Sequence, residues 1–208
     1  MLLSDNTLKQ FTGVLASDAP APGGGSVAAL NGALAAALVH MTGSLTIGKE
    51  KYKEFHDEVK KIMDSAVKLQ DKLLAGVDED TEAYNKVSAV FSMPKESPEE
   101  KAARSEAMQK ALKGAADVPL KTMMAAHDCL KLAEAAHGKV NPSCISDIGN
   151  AVLCALAAIR GAWLNVKINL SGIKDEAYKK ETVSKAEAIL VPSEKLAEEL
   201  YKRIENEV

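Results

Sequence analysis

The sequence lacks the marks of a nucleic-acid-binding, disulfide-bonded or β-structured protein. Its 26 basic residues do not outweigh 29 acidic ones. A net charge of −3 and a pI near 5.9 leave no electrostatic footprint for DNA or RNA, so no nucleic-acid partner is expected. The three cysteines, Cys129, Cys144 and Cys154, are odd in number and lack the close paired spacing of a zinc site. They read as buried, reduced thiols, which fits a cytoplasmic location. Met1 to Gln10 hold no basic segment leading into an apolar one, so no secretory signal is read there. Residues 27–47 are the one membrane candidate, but Asn31, His40, Thr42 and Ser44 interrupt them; a buried core helix is expected, and no membrane partner. Flexible linkers, short solenoid repeats and convincing alternating strands are all missing.

What remains is a chain of 208 residues, 47% hydrophobic and 26% charged, long enough for one sizeable core. One domain spanning residues 1–208 is expected. Its periodicity is helical nearly throughout, with helices over about 5–17, 25–46, 51–92, 98–137, 144–171 and 175–206. The expected fold is all-α, an elongated antiparallel bundle of about six helices. At ~1.5 Å per residue the third and fourth helices would span roughly 60 Å, so Gly76 and Pro119 are expected to break or kink them.

The most informative segment is Asp18-Ala19-Pro20-Ala21-Pro22-Gly23-Gly24-Gly25-Ser26, which runs straight into an alanine-rich helix. The prolines hold the chain extended, and Gly23, Gly24 and Gly25 remove the side chains that would keep another molecule from the backbone. At a helix N-terminus, free N–H groups and the macrodipole favour an anion or polarised oxygen, and Ser26 can cap the helix or bind ligand. The same loop also serves a plain helix start in which glycines permit tight packing. The helix that follows is small and apolar on nearly every face and needs cover on all sides, in part from a second subunit.

In the third helix, positions 55, 59, 62, 66, 69, 73, 76, 80, 83, 87 and 90 form one apolar stripe on which only Asp80 is charged. A carboxylate on a burial stripe loses solvation unless it is paired or protonated. Gly76, a turn earlier on that face, could open a pocket beside it. A site and a structurally satisfied acid both fit. Lys49, after Gly48, either stabilises a helix C-terminus or binds an anion; Glu50 stands where a nucleotide loop would have Ser or Thr. Asp147, in the first turn of the fifth helix, is a capping acid or a site residue. Asn165 and Lys167, near that helix's end, could hydrogen-bond a polar heterocycle or its carboxylate. His40, His56, His127 and His137 are dispersed, so no metal is expected.

Four segments, in order and spanning nearly the whole chain, carry a resemblance: PAPGGGSVAAL, LTIGK, VDEDTEAYNKV followed by MPK, and ISDIG leading to GAWLNVKINL. With these the chain resembles the cyclodeaminase/cyclohydrolase family of folate enzymes. The resemblance implies a dimeric all-helical bundle with a folate site near packed helices and the subunit interface. It implies a tetrahydrofolate derivative as substrate, with no further cofactor. The leading expectation is hydrolysis of 5,10-methenyltetrahydrofolate to 10-formyltetrahydrofolate; the alternative is cyclodeamination of formiminotetrahydrofolate with release of ammonia. A non-catalytic helical oligomerisation module is the alternative of another class. Asp80 carries over as catalytic acid/base with Lys49 and Asp147 as companions, and Gly23, Gly24, Gly25, Ser26, Tyr84, Asn165 and Lys167 as substrate-binding residues.

Overall fold

The computed structural model of the protein describes residues 2–208. Six α-helices, α1 (Leu8–Leu15), α2 (Gly24–Ser44), α3 (His56–Phe91), α4 (Pro98–Ala136), α5 (Ile145–Leu170) and α6 (Glu176–Glu205), are joined by short loops and 3₁₀ turns, with no strand among the described residues. Thr7 with Gln10 and Ser97 with Glu100 form reciprocal capping boxes at the starts of α1 and α4, and the Asp175 carboxylate accepts from the Tyr178 N–H at the start of α6. Gly138, directly after the C-cap residue of α4, and Gly48, in the turn four residues past the end of α2, have φ of 76° and 83°, the left-handed conformation that suits glycine.

Side-chain contacts fix the directions. Gly25 lies against Asp80, Gly32 against Leu73 and Gly43 against Met63, so α2 and α3 are antiparallel. Gly24 against Asn165 and Gly161 against Ala28 set α2 antiparallel to α5. α2, α4 and α6 therefore run one way and α3 and α5 the other. α2 packs on α3, α4 and α5, and fully buried Ala29, Ala35 and Ala36 let its backbone approach them closely.

The two expected breaks do not occur. α3 runs 36 residues through Gly76, whose missing side chain admits the crossing of α2, where a Cβ would sit 3.4 Å from that of Ala29; Gly76 also lines a hollow between α3 and α4, but not the one that Asp80 faces. α4 runs 39 residues through Pro119. Proline cannot donate to the carbonyl four residues back, and that carbonyl, Ala115 O, accepts instead from the Asn169 side-chain amide at 2.8 Å. A neighbouring helix thus supplies the donor that the proline withholds.

Among the described residues two helices, not one, are long and apolar enough to cross a membrane: α2, and the stretch Pro142–Leu170 that contains α5. α2 is the packed centre of the bundle. Only 39% of the apolar window containing α5 is buried, and Leu153, Leu164 and Ile168 stand exposed on it as Leu34 and Leu45 do on and just after α2.

Candidate active site at the start of α2

Asp80 projects from α3 toward the first turn of α2. Gly23 is the N-cap residue, so the carboxylate meets the end of the helix where backbone N–H groups are unpaired and the dipole is positive. The buried Ser26 hydroxyl donates to Asp80 Oδ2 at 2.9 Å. Gly25 packs directly on the carboxylate; a Cβ there would lie 2.6 Å from Asp80 Cγ and 2.8 Å from Oδ2. The approach of this acid to the helix end therefore requires glycine at 25. Burial pushes the Asp80 carboxyl above its ordinary range, and hydrogen bonding by the side chain and backbone of Ser26 pulls it partly back.

The carboxylate faces a cavity of about 330 Å³. Pro20, Ala21, Gly23, Gly24 and Gly25 form one wall, Asp80 and Tyr84 of α3 the second, and Asn165 and Asn169 of α5 the third, while Ala115 contributes from α4. The Asn165 side-chain amide donates to Gly161 O at 2.9 Å, and a Cβ on Gly24 would come within 3.3 Å of it. Behind the site, Asp78 accepts from Leu3 N at 2.6 Å and from Ser4 Oγ at 2.5 Å. Two residues of helix rotate side chains by roughly 200°, so α3 anchors the N-terminal arm with Asp78 and offers Asp80 on its other side.

Of the residues singled out in the sequence, Gly23, Gly24, Gly25, Asp80, Tyr84 and Asn165 meet at this one cavity. Ser26 lies beneath it as the hydrogen-bond partner of Asp80. Lys167 does not line it; its ammonium sits 5.6 Å from the centroid of the Trp163 ring. Lys49 and Asp147 are together but elsewhere, both close enough to Cys144 to act electrostatically on its thiol. They occupy the other end of α2, whose 21 residues span about 30 Å. Within one chain neither reaches Asp80. Helical spacing had put Asp80 on a stripe without showing which neighbour it faced. The Asn169 wall was missed, although its place four residues after Asn165 puts both on one helix face.

Comparison with known proteins places the chain. A family model described as formiminotransferase-cyclodeaminase matches residues 7–188. The chain belongs to this family. It is 40% identical to a methenyltetrahydrofolate cyclohydrolase of Methylorubrum extorquens over the full length of both chains. It is 36% identical to a formimidoyltransferase-cyclodeaminase of Gallus gallus, covering 84% of this chain and 32% of that larger protein. Among solved structures, a formiminotetrahydrofolate cyclodeaminase from Thermotoga maritima superposes with a TM-score of 0.83 at 29% identity, covering 99% of this chain and 96% of that one.

The Ser26 contact carries a pH prediction. Its hydrogen bond favours the ionised form of Asp80, so Ser26→Ala raises the carboxyl further. A base is active when ionised; the acid limb of the kcat/KM profile is expected to move to higher pH while the plateau changes little. Profiles of the two proteins measured across the acid range check this.

Proposed function

We propose that the protein hydrolyses 5,10-methenyltetrahydrofolate to 10-formyltetrahydrofolate, with Asp80 as the catalytic base. The observation that carries this reading is the full-length match to a named cyclohydrolase. The arrangement supports it. A half-buried carboxylate beside a cavity suits a cationic amidinium carbon, and glycine backbone at a helix N-terminus suits the oxygen that becomes anionic as water adds. Asp80 takes a proton from the attacking water as its oxygen bonds to the one-carbon bridge. That proton passes to N5 as the C–N5 bond breaks, and loss of the second water proton to solvent leaves the formyl group on N10. A positioned general base of this kind contributes about 10²–10⁴-fold.

The structural match to a cyclodeaminase favours a second reading at the same site, attack by a folate nitrogen on a formimino carbon with departure of ammonia. Purified protein given 5,10-methenyl- and 5-formiminotetrahydrofolate separately, with methenyl absorbance and ammonia followed together, distinguishes them. Loss of the methenyl chromophore without ammonia is expected; ammonia release as the faster reaction would overturn the order, and neither reaction would remove the enzyme reading in favour of a helical binding module.

The proposed assembly is a cytoplasmic homodimer through the exposed apolar flanks of α2 and α5. Leu34, Leu153 and Leu164 are 45%, 46% and 66% exposed, more apolar surface than these otherwise central helices leave uncovered without a partner. A two-fold axis across the middle of α2 sets the helices antiparallel and carries the Lys49 and Asp147 end of one chain beside the Asp80 cavity of its partner. That is the arrangement in which Lys49 and Asp147 act as catalytic companions and Lys167 reaches substrate. Leu153→Glu, placed far from the cavity, is expected to weaken dimerisation at least about tenfold by burying a charge at the interface, and activity should fall as dimer is lost. Sedimentation equilibrium with activity measured over the same concentrations tests it; a fully active monomer would refute the assembly.

A further inference from the structure

A second hollow, of about 390 Å³, opens where the α3–α4 loop, the early turns of α4 and the α5–α6 loop meet. Lys95, Lys101, Arg104 and Lys174 line it, and no carboxylate does. In a chain whose net charge is −3 this is a local reversal of sign. Two of the nearby acids, Glu100 and Asp175, are committed to other groups. Glu100 accepts from the Glu96 and Ser97 N–H groups at 2.8 and 3.0 Å, and Asp175 pairs with Lys113 at 2.7 Å. Arg104 donates to the Val90 and Phe91 carbonyls and closes the end of α3, and Lys174 Nζ lies 3.3 Å from Ser105 Oγ. None of the four cations forms an ion pair among the described residues. Lys95 belongs to the Met93-Pro94-Lys95 segment, which the Asp80 cavity leaves without a role.

The hollow adjoins that cavity. Asn169 lines one and Gly172 the other, three residues apart; on α4, Ala115 lines one and Gln109 the other, about 9 Å apart along the helix. A folate carries its reacting bridge at one end and the two carboxylates of a glutamate at the other, separated by a stiff aromatic spacer. We infer that the hollow holds the glutamyl carboxylates of the substrate while its one-carbon bridge lies at Asp80, with Lys95, Lys101 and Lys174 as specificity-determining residues. This rests on the folate reading above. Exposed ammonium–carboxylate pairs are individually weak, so several converging lysines are what such a tail requires.

The test compares 5,10-methenyltetrahydrofolate with 5,10-methenyltetrahydropteroate, the same compound without glutamate, in wild type and in the triple variant Lys95→Ala/Lys101→Ala/Lys174→Ala. The three side chains are exposed, so the fold is expected to persist. Wild type should show the lower KM for the glutamyl substrate, by a margin that shrinks as salt rises. The triple variant should raise that KM roughly three- to tenfold with kcat and the pteroate KM unchanged. Equal KM values for the two substrates in wild type, or a triple variant that raises both alike, would overturn the assignment. Calorimetry with p-aminobenzoylglutamate against p-aminobenzoate tests the hollow without turnover: tighter glutamyl binding lost in the variant supports it, and equal binding overturns it. Failure of wild type to turn over either substrate would instead defeat the folate reading.

Discussion

Asp80→Asn is expected to lower kcat by at least about a hundredfold while leaving the helical fold intact. The amide keeps the shape of the carboxylate, and its oxygen can still accept from the Ser26 hydroxyl now 2.9 Å from Oδ2. It cannot take a proton from water. Stability should move little, because two effects oppose each other: a half-buried charge is removed, which is favourable, and its attraction to the start of α2, about 0.3–1 kcal/mol, is lost. Kinetics and thermal melts on one preparation separate the outcomes. A folded variant with near-normal turnover would remove Asp80 from the chemistry.

Gly25→Ala should be as damaging to activity as loss of the carboxylate itself. The new methyl group would stand 2.6 Å from Asp80 Cγ and 2.8 Å from Oδ2, closer than such atoms can come, so either the carboxylate leaves Ser26 or the first turn of α2 retreats. Activity is expected to fall at least about a hundredfold, with a stability loss of about 1–3 kcal/mol from overpacking. The neighbouring glycines supply the controls. A Cβ on Gly23 meets nothing within 4 Å, and one on Gly24 meets the Asn165 amide at 3.3 Å. The expected order of damage is therefore Gly23→Ala least, Gly24→Ala intermediate and Gly25→Ala most; a Gly25→Ala protein as active as Gly23→Ala would contradict the packing of α2 on Asp80.

Helix positions were legible because this chain punctuates them chemically: Ser97-Pro98 with Glu100 opens α4, Asp175 opens α6, Gly138 closes α4, and Gly48 turns the chain between α2 and α3. Continuity through Pro119 was not legible, since the donor that rescues Ala115 O lies 54 residues away on another helix. Gly76 misled for a related reason. A missing side chain signals close approach without saying by what: Ala29 of α2 packs there, and the hollow that Gly76 does line is not the one beside Asp80. For Asp80, the structure shows the acid satisfied by Ser26 and the start of α2, and the catalytic role proposed for it rests on the cavity that this same helix N-terminus borders. Lys49 and Asp147 were grouped with Asp80 by family resemblance, and linear order could not show that α2 separates them by its whole length within one chain.

The most direct test of the account is a crystal structure of the Asp80→Asn protein with 5,10-methenyltetrahydrofolate, which that variant should bind without turning over. The expected result places the one-carbon bridge in the cavity beside Gly24 and Gly25, with a water held by the side chain at position 80 roughly 3–3.5 Å from the bridge carbon. Folate bound with its bridge elsewhere, for instance at the Lys49 and Asp147 end with the Asp80 cavity empty, would contradict the central claim.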